Sequence, residues 1–122
     1  MAGKVKGLLV KPFKDFPWNK NGTERIELEN ELEAFQKAVD GYIKVIGLEY
    51  NVVAVVNEEG KLKNLEPCRT FIWAVKNGRA SGDVIRGQFI VIGVDDEGEF
   101  ISLTEEQLDR WETEMQFNYV YV

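Results

Sequence analysis

Cys68 stands beside Arg69, and a guanidinium next to a thiol is one way to lower a cysteine pKa far enough to make a nucleophile. The chain has 122 residues, one cysteine and no histidine. Ser-His-Asp and Cys-His systems, histidine general bases, histidine-ligated zinc and thiolate metal cages are therefore excluded. Carboxylate or lysine acid/base work, carboxylate-bound magnesium and an unassisted cysteine are what is left. Without a base, Cys68 reads as a small core residue on an apolar stripe. No catalytic residue, metal ligand or cofactor is assigned, and an enzyme is not expected.

The second group that could do chemistry is 94-VDDEGEFISL-103, where Asp95, Asp96, Glu97 and Glu99 lie within five positions. A calcium loop needs ligands at alternate positions and a terminal bidentate Glu, and this spacing lacks them. The stretch instead repeats 56-VNEEGKLKNL-65, with Val, Asx, an acidic residue, Glu-Gly and a later Leu in the same places. Each copy follows an apolar run and has Gly three residues after the Asx. That pattern predicts two hairpins with left-handed glycines at Gly60 and Gly98, and solvated carboxylates at their tips.

The third group is basic and aromatic. Arg69, Trp73, Lys76 and Arg79, joined by Arg86 if the next strand lies alongside, could hold a phosphate or nucleotide, with Trp73 stacking on a base. The bland alternative is a set of solvated cations. Trp18 is either a lid on a pocket or a packed loop anchor. The acidic C-terminal helix suggests another possibility: Glu105, Glu106, Asp109, Glu112 and Glu114 could align with the Asp95–Glu99 cluster as a DNA-like phosphate track.

Hydropathy patterning predicts the elements that position these groups. Residues 4–13 read as a strand closed by Pro12, followed by a loop with a tight-turn Asn21-Gly22 and a strand over 23–29. Asn30 and Glu33 have capping-box spacing for a helix with Leu32, Phe35 and Val39 as its stripe and Gly41 as its stop. Strands over 42–48 and 51–56 form a hairpin. Over 66–78, Pro67, the stripe Cys68, Phe71, Ile72 and Val75, and Gly78 predict a helix, although Thr70–Trp73 suits a strand equally. Residues 79–83 read as loop and 84–94 as one central strand. Thr104 and Gln107 cap a last helix with Leu108, Trp111 and Met115 buried.

The order predicts a single α+β domain over 1–122, a largely antiparallel sheet built from hairpins with two or three helices packed on one face. The tail 117-FNYVYV-122 must be paired, either to its own sheet or across a two-fold axis. Little chain separates it from the last helix, which favours a homodimer through Phe117, Tyr119, Val120, Tyr121 and Val122.

The composition, 44% hydrophobic and 30% charged, is that of a folded protein. Its longest apolar runs are too short to cross a bilayer, so no membrane association is expected. One cysteine and the lack of a secretory h-region point to a cytoplasm. Residues 1–25 carry six basic and two acidic side chains, 26–60 two and eight, 61–90 six and two, and 91–122 one and nine, for a net charge of −6. An acidic chain without a clustered basic face is not expected to bind nucleic acid directly.

The segments 32-LEAFQKAVDGYIKVI-46, 57-NEEGKLKNLEPCR-69 and 87-GQFIVIGVDDEGEFISLTEEQ-107 together resemble domain-of-unknown-function family 3846, carried by bacteriophages and conjugative elements. Where members of that family place Pro-Asn-Arg, this chain has Pro67-Cys68-Arg69, keeping the arginine. The resemblance implies no catalytic residues. It implies a small accessory protein of a mobile element in a bacterial host, acting by binding a host protein or a small nucleotide signal, with possible inhibition of host defence. The alternative is an acidic DNA mimic that blocks a DNA-binding host enzyme.

Overall fold

The structure, a computed structural model, describes residues 3–12, 22–117 and 119–121, and the side chains of these except 73–76, 79, 80 and 121. Most of the loop after Pro12, with Asn21 and Trp18, lies outside the described residues, as does Val122.

Strand β1 (Lys4–Val10) pairs antiparallel with β2 (Thr23–Glu29), from Lys4 opposite Glu29 to Val10 opposite Thr23. Helix α1 (Leu32–Val39) is next, then the hairpin of β3 (Ile43–Glu49) and β4 (Val52–Asn57). Every residue of β4 is buried, as an apolar strand between two neighbours must be. With β7 (Phe89–Val94) these strands make the first sheet, in the order β2-β1-β7-β4-β3, and β8 (Phe100–Ile101) adds to the end of β7. The second sheet is β6-β5-β9, from β5 (Pro67–Lys76), β6 (Arg79–Arg86) and β9 (Tyr119–Tyr121). Helix α2 (Glu105–Glu114) lies between β8 and β9 in the chain.

The architecture is α+β and mainly antiparallel, as the hairpin signals indicate. Alternation along the central strands divides the interior in two. Leu8, Val10, Ala54, Phe89 and Val91 face the second sheet and Leu108, Trp111 and Met115 of α2. Val5, Val53, Val55, Ile90 and Ile92 face Phe35 of α1. The two helices thus lie on opposite faces of the first sheet, not on one, because each face of a sheet buried on both sides needs its own cover.

Three elements differ from expectation. Residues 67–76 form a strand, not a helix. Asn77 and Gly78 both have positive φ, 54° and 76°, and form the two-residue turn that joins twisted strands. Gly78 therefore closes a hairpin. The stretch 84–94 is two strands in different sheets, broken where Gly87 turns at φ 83° and donates its N–H to Glu66 O. Residues 79–83, expected as loop, belong to β6.

The first copy of the repeated phrase is a run of turns leading into β5, and the second is the expected hairpin. Both begin alike. Asn57 Oδ1 accepts from Glu59 N at 2.8 Å, and Asp95 Oδ1 accepts from Glu97 N at 2.9 Å. Asp95 also accepts from Glu99 N, so its carboxylate is part of the turn and not merely solvated. Gly98 has φ 82°, whereas Gly60 is not left-handed.

Helix α2 carries the expected capping box, with Gln107 N donating to Thr104 Oγ1 and Thr104 N to Gln107 Oε1. Helix α1 lacks its expected cap: Glu31 is the N-cap without a side-chain bond, and Asn30 Nδ2 donates instead to Phe100 O. Leu32 is exposed, and Asp40, not Gly41, takes the left-handed position at the end of the helix. No helix among the described residues is long and apolar enough to cross a membrane.

Candidate functional site

The β5–β6 hairpin carries all five residues of the expected basic and aromatic site, and its register separates them. Lys76 pairs with Arg79 at the turn, whereas Pro67 pairs with Arg86 at the base. At about 3.3 Å per residue, these ends lie some 25–30 Å apart. The backbone positions of the five residues are therefore spread along the length of the hairpin. The side chains of Trp73, Lys76 and Arg79 lie outside the described residues.

Arg69 is withdrawn into the interior at 1% exposure. Its Nε donates to Met115 O at 2.8 Å, and its Nη1 to Cys68 O at 2.7 Å and Lys11 O at 3.1 Å. Burial lowers its pKa, since the charged form loses hydration. The side chain is a strut tying β5 to the ends of β1 and α2. That replaces its expected role as a ligand contact.

Cys68 is buried, with its thiol 3.7 Å from Val10 O. Burial pushes the thiol up to about 12, against the opposing effect of Arg69 and with a small addition from Glu66. It is protonated at neutral pH, as its reading as a core residue requires. Both residues line a cleft of about 350 Å3 with Pro12, Thr70 and Val84, where the arginine is already committed to carbonyls and Glu66 stands at the rim.

Arg86 takes part in a different cleft, of about 120 Å3, between β3, the turns after β4, and β6. Its Nη1 donates to Leu65 O at 3.0 Å and reaches Asn64 Oδ1 at 3.5 Å. Gly60 lies so close that an added Cβ would sit 2.7 Å from Arg86 O. Lys44 and Lys61 line the same cleft. Lys61 Nζ pairs with Asp83 Oδ1, which also accepts from Val84 N. Lys44 makes no ion pair among the described residues. Neither lysine was legible as a site residue, since Lys44 belongs to a strand remote in sequence and Lys61 looked like a hairpin-tip charge.

Arg25 was missed too. Its Nη1 meets Glu105 at 2.7 Å and its Nη2 meets Asp109 at 2.5 Å and Glu112 at 2.7 Å. Hydrogen bonds to Glu112 and Asp109 raise its pKa further above the ordinary arginine value. The signal was present in the spacing of the three acids, which at i, i+4 and i+7 share one helical face.

A family model described as a domain of unknown function (DUF3846) matches residues 5–116. The chain belongs to that family. The DUF3846 match spans β1 to the end of α2, including both clefts, and ends before β9. No curated protein and no solved structure matches the chain.

Proposed function

We propose that this DUF3846 protein acts by binding, as a non-catalytic accessory protein of a bacteriophage or mobile element in the bacterial cytoplasm. Its ligand presents an anionic group, the phosphate of a small nucleotide, to the cleft of Lys44, Lys61 and Arg86. The observation that carries this reading is the fixing of Arg86 by Leu65 O in a wall shared with Lys44, which makes no ion pair among the described residues. A planar donor held in place loses little freedom on meeting a phosphate, and the Lys44 ammonium adds a point charge. The cleft is smaller than the roughly 300 Å3 at which pockets enclose a whole small molecule, so it suits the phosphate, with the rest of the ligand lying outward along exposed Leu62.

Titration calorimetry with pyrophosphate and with linear and cyclic nucleotides tests this. Binding should weaken at least tenfold in Arg86→Gln and in Lys44→Ala, and should weaken with added salt. No heat from any of these ligands, or wild-type affinity retained in both variants, overturns the proposal. The DNA-mimic reading has less support. Glu105, Asp109 and Glu112 turn toward Arg25, which leaves only Glu106 and Glu114 as helix carboxylates for the track.

A further inference from the structure

The geometry points to an interaction surface independent of the cleft: the open edge of β9, taken up by β9 of a second copy in antiparallel register. The tail does not lack a partner within the chain, because Thr70, Phe71 and Ile72 of β5 pair with Tyr119, Val120 and Tyr121 in parallel. That pairing meets the need that favoured a tail-to-tail dimer from sequence, but it uses only one side of the strand. Among the described residues β9 is the last strand of its sheet and its other side is an edge.

Among the described residues, the end strands of the two sheets differ in charge. β2 carries Glu24, Arg25, Glu27 and Glu29, β3 carries Lys44 and Glu49, and β6 carries Arg79, Asp83 and Arg86. β9 carries none, and neither do its neighbours Phe117, Asn118 and Val122. Charges on an edge keep it from pairing with another chain, and among the described residues the β9 edge lacks the charges that β2, β3 and β6 carry. An uncharged edge is also compatible with itself, as a two-fold axis requires, because the axis brings identical side chains together.

The faces agree with this. Val120 is fully buried and Tyr119 is 60% exposed, so β9 has a fixed inner face and therefore a fixed register. Val84, Thr70 and Tyr119 form one row across the outward face, with exposed Phe117 just before it. Joining two copies at β9 extends that row across the axis and makes one six-stranded sheet.

Light scattering on the purified chain at high micromolar concentration should give twice 14.0 kDa. Tyr119→Lys and Tyr119→Glu alter an exposed position, so each should keep the far-UV spectrum of the folded chain but run as a monomer, and an equimolar mixture of the two should regain the dimer mass. A monomeric wild-type chain overturns the proposal, as does a dimer that persists in both single variants. Nucleotide binding in the cleft is unaffected by either result.

Discussion

A guanidinium taken to 1% exposure loses its water and must replace it with protein acceptors, which for Arg69 are the carbonyls of Met115, Cys68 and Lys11. Arg69→Met should therefore lower stability by at least about 2 kcal/mol in urea denaturation, since it leaves buried carbonyls without donors. An unchanged midpoint would show that the strut carries no load. Cys68 gives a pH signature. The folded thiol keeps its proton to about pH 12 and an unfolded one to about 8.5, so the folded state holds more protons in that window. The contribution is complete below the lower value and is lost as pH rises, at up to about 1.4 kcal/mol per pH unit. Cys68→Ala should flatten the decline in stability between pH 8 and pH 10. The contrast between these neighbours marks what one sequence reveals. Cys68 could be read as core because an apolar stripe and a missing histidine both bear on it locally. Arg69 could not, because the carbonyls that hold it come from Lys11 and Met115, far away in the chain.

Local spelling constrains elements more tightly, and the repeated Glu-Gly phrase shows where it stops. The Asx turn is written in four consecutive residues and forms in both copies. The path of the chain beyond the turn depends on its surroundings: Val94 leads to β8 within the first sheet, while Asn57 leads out toward the second. The two glycines are consequently needed for different reasons. Gly98 has open space around it but φ 82°, so Gly98→Val should cost about 1–3 kcal/mol while Gly98→Asn is tolerated. Gly60 has ordinary φ but faces Arg86 O, so Gly60→Ala and Gly60→Asn should both cost about 1–3 kcal/mol. Thermal melts of the four variants decide it, and equal losses at Asn in both positions would refute the distinction. The β5–β6 hairpin obeys the same logic. Asn77-Gly78 is a strong turn signal, but an apolar helical stripe across Cys68, Phe71, Ile72 and Val75 competes with it. The β-branched and aromatic run settles as strand once a second sheet edge is available.

Across the whole molecule, the alternating charge blocks of the sequence come together in space. Arg25, at the end of the first basic block, lies under α2 of the last acidic one. Arg25→Ala should lower the melting temperature by leaving three carboxylates facing one another, and about 1 M salt should recover much of the loss, since the Debye length there is only about 3 Å. A deficit unchanged by salt would mean that the arginine acts through packing. This pairing was hidden because charge blocks can be read along a chain, but their juxtaposition depends on which face of the sheet a helix covers. The parallel pairing of β9 with β5 also bears on biosynthesis. Thr70 leaves the ribosome well before Tyr119, its partner in the sheet. At roughly 5–20 residues per second, the inner flank of β5 waits about 2–10 s for its neighbour, with the hydrophobic surface around Phe71 open to chaperones and to other nascent chains.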